Sequence, residues 1–315
     1  MVTVGSIVSG AFRLIARRPG AVALWGLVYL GGIVLISIVF MGALGGAMMA
    51  GGFGAGANPE QALASFSGQS ILLTLLMYLA YYALAAVLMN AVYRAVLRPE
   101  EGGGASIRFG RDELRTLGLT LLLGILMMVL AFFGSLILGL IGSALGLAAG
   151  GDPVAMDIAS TIVLLLFIAG WLVLWVKLSL ILPASFHYRR FTLDSGWELS
   201  SGHFWPLLGA YLIIIVISIL LVLVASLPMI GTIGANFPAM TADPFAADVA
   251  TQAPATMAAA GGMLLTLLLM MIAGLIVFVL LTGATAVAAR EVLIERGAFA
   301  DPHVEPDSDR DFEAD

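Results

Sequence analysis

The chain has no cysteine, which excludes disulfides, thiolate catalysis and cysteine-based metal sites. It is also poor in charge. Asp, Glu, Lys and Arg make up only 11% of its 315 residues, against about 25% in an ordinary soluble domain. Strand-like alternation of apolar and polar residues is missing, and the apolar runs far exceed the roughly 9–11 residues of a membrane-barrel strand. No Asp or Glu lies inside any of these runs, which argues against a proton- or sodium-coupled carrier of the usual carboxylate type. Three of the gaps between the runs contain neither Lys nor Arg.

What the chain does have is apolar bulk. Hydrophobic residues are 61% of the sequence and mean hydropathy is +1.07. No closed soluble core hides so much apolar surface, so lipid must cover it. A crossing helix needs about 20 mostly apolar residues, and the sequence predicts crossings near 21–44, 70–93, 116–141, 160–183, 206–229 and 263–288. The expected fold is an all-α polytopic membrane protein of six transmembrane helices with short interfacial helices. One domain over 1–299 precedes an acidic, disordered tail over 300–315. All 14 Lys and Arg fall on one side of this threading. Excess Lys and Arg mark the cytoplasmic side, which implies a bacterial inner-membrane location with both termini in the cytoplasm. Arg13, Arg17 and Arg18 ahead of an apolar run resemble a secretory signal. The charge-free stretch from Pro19 to Pro59, however, is much longer than the roughly 7–15-residue apolar region of a cleavable one, so it reads as a retained first span.

The charges are segregated, so the pI of about 5.0 describes no single surface. Arg13, Arg17 and Arg18 stand without an acid, whereas Glu60, Asp152, Asp157, Asp243 and Asp248 fill the outer loops without a base. The acidic tail faces anionic lipid and should be repelled from it. The Ala-, Pro- and Thr-rich stretch from Gly231 to Gly262 is expected to be a mobile loop. Before each outward span a charge precedes a leucine, in Phe12-Arg13-Leu14, Asp112-Glu113-Leu114 and Trp197-Glu198-Leu199. These lead-ins suggest interfacial helices at Val4–Arg18, Ile107–Leu117 and Leu193–Ser201, and a threefold repeat of helix plus hairpin.

Few residues inside the spans are candidates for function. Lys177 lies in the inner half of the fourth span. It either carries its ammonium to the headgroups along its stem or pairs in the bundle with Asn90 or an anion. Asn90 can also serve simply as an interhelical hydrogen-bonding group. Gly142, Gly146 and Gly150 form two GxxxG spacings that could line a helix face for self-association. Pro183 is expected to close the fourth span. The stretch from Ser185 to Trp205 then holds His187, Asp194, Glu198 and His203, none at a recognised ligand spacing, so neither a metal nor catalytic residues are assigned. Its aromatics Tyr188, Phe191, Trp197, Phe204 and Trp205 suit headgroup depth, and Arg189 and Arg190 would attract anionic lipid.

The segment Gly196-Trp197-Glu198-Leu199-Ser200-Ser201-Gly202-His203-Phe204-Trp205, shortly after Leu182-Pro183, resembles a motif of bacterial membrane proteins. These are related to the membrane domain attached to glycerophosphoryl diester phosphodiesterases. The family pattern runs Ser-Trp-x-Leu-Thr-x-Gly-x-x-Trp after a proline-terminated span, and Trp197, Leu199, Gly202 and Trp205 match it. Ser200 replaces the Thr, Gly196 replaces the Ser, and Glu198, Ser201 and His203 stand where the family is often basic. The segment from Phe12 to Gly20 is similar to the family's N-terminal lead-in. The resemblance implies a six-helix membrane module of no known catalytic duty. The phosphodiesterase barrel itself needs roughly 200 or more residues outside the membrane, and the longest polar segment, from Arg290 onward, is far shorter. The expected role is a non-enzymatic scaffold that organises lipid or a protein partner at its cytoplasmic face, with no cofactor and no nucleic acid. A transporter or channel for a small or lipidic solute is the alternative. An enzyme acting on lipid would rest on His187, His203, Asp194 and Glu198 alone.

Overall fold

The computed structural model describes residues 2–51, 68–101, 106–108, 110–148, 150, 152–241 and 249–297. Among these residues there is no strand. The helices are α1 (Val4–Arg17), α2 (Pro19–Gly51), α3 (Gly68–Leu97), α4 (Arg111–Ala148), α5 (Pro153–Leu178), α6 (Ile181–Tyr188), α7 (Leu193–Ser201), α8 (Phe204–Thr241) and α9 (Val249–Glu295). Six segments are long and apolar enough to cross a membrane: α2, α3, α4, α5 continued by α6, α8 and α9. The protein is a multi-pass integral membrane protein of all-α class.

Local sequence explains where the helices begin. Thr3 caps α1 by accepting from the Ser6 amide while Ser6 Oγ accepts from the Thr3 amide, a reciprocal capping box. Ile7, Ala11 and Leu14 then fall on one face of α1 and are buried. Pro19 opens α2 at the position where a missing N–H costs nothing. Asp152 caps α5 through the Val154 amide at 3.2 Å, with Pro153 in its first turn.

Packing is concentrated at one end. Contacts such as Val2 to Glu295, Arg98 to Asp112 and to the Phe186 carbonyl, and Arg296 to the Glu198 carbonyl bring the basic segments together there. We call it the basic end. Helix α9 is the centre, packed against α8, α1, α3, α2, α6 and α7. Its buried face is small, with Gly283, Ala284, Ala286, Ala288 and Ala289. A Cβ on Gly283 would lie 3.7 Å from the Ala11 Cα, so α1 and α9 cross at near-backbone contact. Small residues permit such crossings where no hydrophobic force drives helices together. Away from the basic end, α2, α3, α4 and α5 turn residues such as Leu35, Leu75, Phe132 and Leu165 outward, a surface that only hydrocarbon tolerates.

Four expectations need correction. The lead-in Ile107–Leu117 is not a separate helix: residues 106–108 are irregular, and α4 starts at Arg111 and runs unbroken to Ala148. Asp112 and Glu113 occupy its first turn, where the helix dipole favours acids, and no proline separates them from the span. The middle unit of the threefold pattern therefore lacks the break that divides α1 from α2 and α7 from α8. Second, the fourth span breaks before Pro183 rather than at it. Proline clashes with the carbonyl four residues earlier, here that of Ser179, so α5 ends at Leu178 and Pro183 sits in the first turn of α6. Third, the stretch 231–262 is helical over 231–241 and 249–262. Its alanines are the strongest helix formers, and adding turns to existing spans needs no new nucleus. The remainder, 242–248, and the acidic tail 300–315 lie outside the described residues. Fourth, Gly142, Gly146 and Gly150 do not form one stripe. Gly150 lies past the end of α4 with φ +68°, and a Cβ on Gly146 would meet Met156 of the same chain at 3.3 Å.

Candidate functional site at the basic end

Three arrangements occupy the basic end and the membrane depth just beneath it. The first is the strap formed by α6 and α7. Helix α6 stops at Arg189, whose left-handed φ of 53° turns the chain. The Ser185 hydroxyl accepts the Thr192 amide at 3.1 Å and closes that turn. Helix α7 lies directly on α6, because a Cβ on Gly196 would come within 2.5 Å of the Ile181 Cα. Leu199 is buried in the core. Trp197, Trp205, Phe191, Arg189 and Arg190 are exposed, Trp205 to 76%. Arg190 stacks over Tyr188 at 5.7 Å. Gly202 is exposed, and nothing lies within 4 Å of a Cβ placed on it.

Lys177 belongs to this strap and does not pair with Asn90. Its ammonium donates to Ser201 Oγ at 2.8 Å and lies 5.5 Å from the centre of the Trp197 ring. Its carbonyl accepts from Ser200 Oγ at 2.9 Å. One residue thus ties the end of α5 to α7 through both backbone and side chain.

The second arrangement is a buried polar column on α3 that the sequence reading did not identify. Asn90, Arg94 and Arg98 recur every four residues and share one face. Asn90 Oδ1 accepts from Thr116 Oγ1 at 2.8 Å. Arg94 forms an ion pair with Glu113 and donates to the Ser106 carbonyl at 2.6 Å, with the two side chains 4% and 2% exposed. Arg98 donates to the Phe186 and His187 carbonyls at 2.7 and 3.0 Å, lies 3.7 Å from Asp112, and covers the Phe186 ring. The column binds α3 to α4 and α6. The signal was present in the sequence as Asn90, Arg94 and Arg98 at i, i+4 and i+8.

The third arrangement is a cavity of about 310 Å³ between α3, α4, α5, α6 and α9. Hydroxyls of Tyr82, Tyr93, Thr120, Ser179, Thr282 and Thr285 interrupt an otherwise apolar lining. Thr120 Oγ1 is buried without a hydrogen-bond partner.

The structure does not assemble the histidines and acids of the strap into a site. His203 Nε2 lies 2.8 Å from Glu295 on α9. His187 packs edge-on against Tyr188, while Asp194 and Glu198 are exposed on α7. Among the described residues no three His, Asp or Glu side chains group as metal ligands. Compared with protein families, curated proteins and solved structures, the chain matches none of them.

Proposed function

We propose that the protein is a non-enzymatic module of a bacterial inner membrane, with both termini cytoplasmic, that organises anionic lipid at its basic end. The observation that carries this reading is the strap. Phe191, Trp197 and Trp205 are exposed beside Arg189 and Arg190 at the mouth of the bundle, while Leu199 anchors the strap in the core. Aromatic rings prefer headgroup depth, and each basic residue near an anionic surface contributes about 1 kcal/mol. The resemblance of this same segment to the phosphodiesterase-associated membrane domain agrees with a module that is not itself a catalyst. Extraction of the protein into polymer nanodiscs with its surrounding lipid tests the reading. The co-extracted lipid should be richer in phosphatidylglycerol than the bulk membrane, and Arg189→Gln with Arg190→Gln should reduce that enrichment. Lipid of bulk composition around the wild-type protein would overturn it.

The cavity at Thr120 supports a second reading, passage or storage of a lipid-soluble compound, because its orphan hydroxyl offers a hydrogen bond inside the membrane. Lys177 does not line it. Thr120→Phe would fill the cavity. Loss of the chain's cellular phenotype at normal membrane abundance would favour transport, and an unchanged phenotype would favour the scaffold.

A further inference from the structure

A second basic feature lies between α1, α3 and α9, away from the strap residues. Arg13 and Arg17 of α1, Arg18 at its exit and Arg290 of α9 line a cleft of about 330 Å³. Arg13 and Arg17 are four residues apart and share a helix face. Glu291 is the one acid in the lining, and its carboxylate accepts from Ser6 Oγ at 2.6 Å. Arg13 donates to the carbonyl and hydroxyl of Ser9. None of the four arginines forms an ion pair among the described residues. The rest of the lining is mainly apolar, with Leu14, Val96 and Val287.

We infer that this cleft is a discrete site for one anionic phospholipid. Its phosphodiester is held by Arg13, Arg17, Arg18 and Arg290, and its glycerol and first acyl methylenes rest on Leu14, Val96 and Val287. The inference builds on the lipid-organising reading above, and it replaces diffuse attraction with a defined pocket. Three physical points support it. Four guanidinium groups that form no ion pair among the described residues repel one another and gain from a shared anion, and the guanidinium fork matches phosphate oxygens. The cleft is at headgroup depth, since Arg17 and Arg18 immediately precede α2, Pro99 follows the end of α3, and Arg290 lies just past the last apolar run. The apolar wall separates a lipid from a free ion. A hydrated phosphate gains nothing from Leu14 and Val287, whereas methylenes gain by leaving water. Net-anionic headgroups suit the charge balance, because four bases meet a single acid.

Native mass spectrometry of the purified protein in mild detergent, with phosphatidylglycerol and phosphatidylcholine added in equal amount, tests the site. Wild type should retain one phosphatidylglycerol. Arg17→Gln with Arg290→Gln should weaken retention about 25-fold, at about fivefold per arginine removed. Arg108→Gln, at an exposed arginine outside both the cleft and the strap, should leave it unchanged. Equal retention by the cleft variant overturns the site, and so does wild type that holds both lipids equally. A wild-type arm covers the case of a variant that does not fold. Phosphatidylglycerol should raise the Tm more than phosphatidylcholine does, and inorganic phosphate at the same concentration should not. Protection by inorganic phosphate equal to that of the lipid would make this a free-anion site and overturn the lipid assignment. Loss of the site alone would leave the nanodisc enrichment intact, so its failure and that of the broader reading are separable.

Discussion

Glu113→Gln should lower the stability of the folded bundle by about 3–5 kcal/mol, read as the shift in SDS mole fraction at half-unfolding in mixed micelles. The cause is the guanidinium left behind more than the carboxylate removed. Arg94 is 3% exposed, and its other contacts among the described residues are the Ser106 carbonyl and, at 5.9 Å, the Phe186 ring, neutral groups that cannot balance a full charge. Breaking a buried pair from one side strands a charge in low dielectric, which costs far more than the pair contributes when intact. Replacing both partners with apolar residues of similar size, Arg94→Met with Glu113→Leu, should restore most of the loss. Asn90→Ala should cost much less, about 0.6 kcal/mol, the average for a polar contact between membrane helices. Equal effects of Glu113→Gln and Asn90→Ala would mean that the column does not act as an electrostatic clasp.

That clasp shows how the basic end is held together while the helix segments away from it are sparsely packed against one another. Lipid is as apolar as leucine, so leucine-rich faces gain little by meeting each other. Where α3, α4 and α6 do meet, polar and cationic contacts hold them, and where α1 crosses α9, glycine and alanine permit close approach. The proposed lipid-facing surface therefore falls on the more closely packed end of the molecule.

The class and the six spans were legible from sequence because they depend on one-dimensional quantities, run length and apolar content. Lys177 shows where that legibility stops. Its depth along the span was readable, yet its partners, Ser201 and Trp197, lie 24 and 20 residues onward on a helix that folds back. The fold-back depends on the break at Ser179 and the left-handed turn at Arg189, neither of which follows from hydropathy. Arg17 and Arg290 sit near opposite ends of the chain, and only the crossing of α1 over α9 brings them to one cleft. The pairing of Arg94 with Glu113 could have been read, since residues four apart on a buried face need partners and the next helix supplies acids in its first turn.

Gly196→Ala should destabilise the protein by roughly 2–3 kcal/mol, within the range for overpacking a filled interior, whereas Gly202→Ala should be nearly neutral. The family resemblance suggests the reverse ranking, because Gly202 matches the motif and Gly196 departs from it. Geometry decides the matter. A Cβ at position 196 would sit 2.5 Å from the Ile181 Cα and 2.9 Å from its nitrogen, and those are backbone atoms that no rotamer change can move aside. Helix α7 would have to lift off α6, with loss of the Lys177–Ser201 and Ser200–Lys177 hydrogen bonds and the stacking of Lys177 on Trp197. At position 202 the added methyl meets open space, and φ is −78°, a value any residue adopts. Removing glycine there even reduces the entropy of the unfolded chain, by up to about 1 kcal/mol. Unfolding of the two variants in the same mixed micelles compares them directly. If Gly202→Ala proves the more damaging, α7 is not seated on α6 as described, and the strap that presents Trp197 loses its anchor.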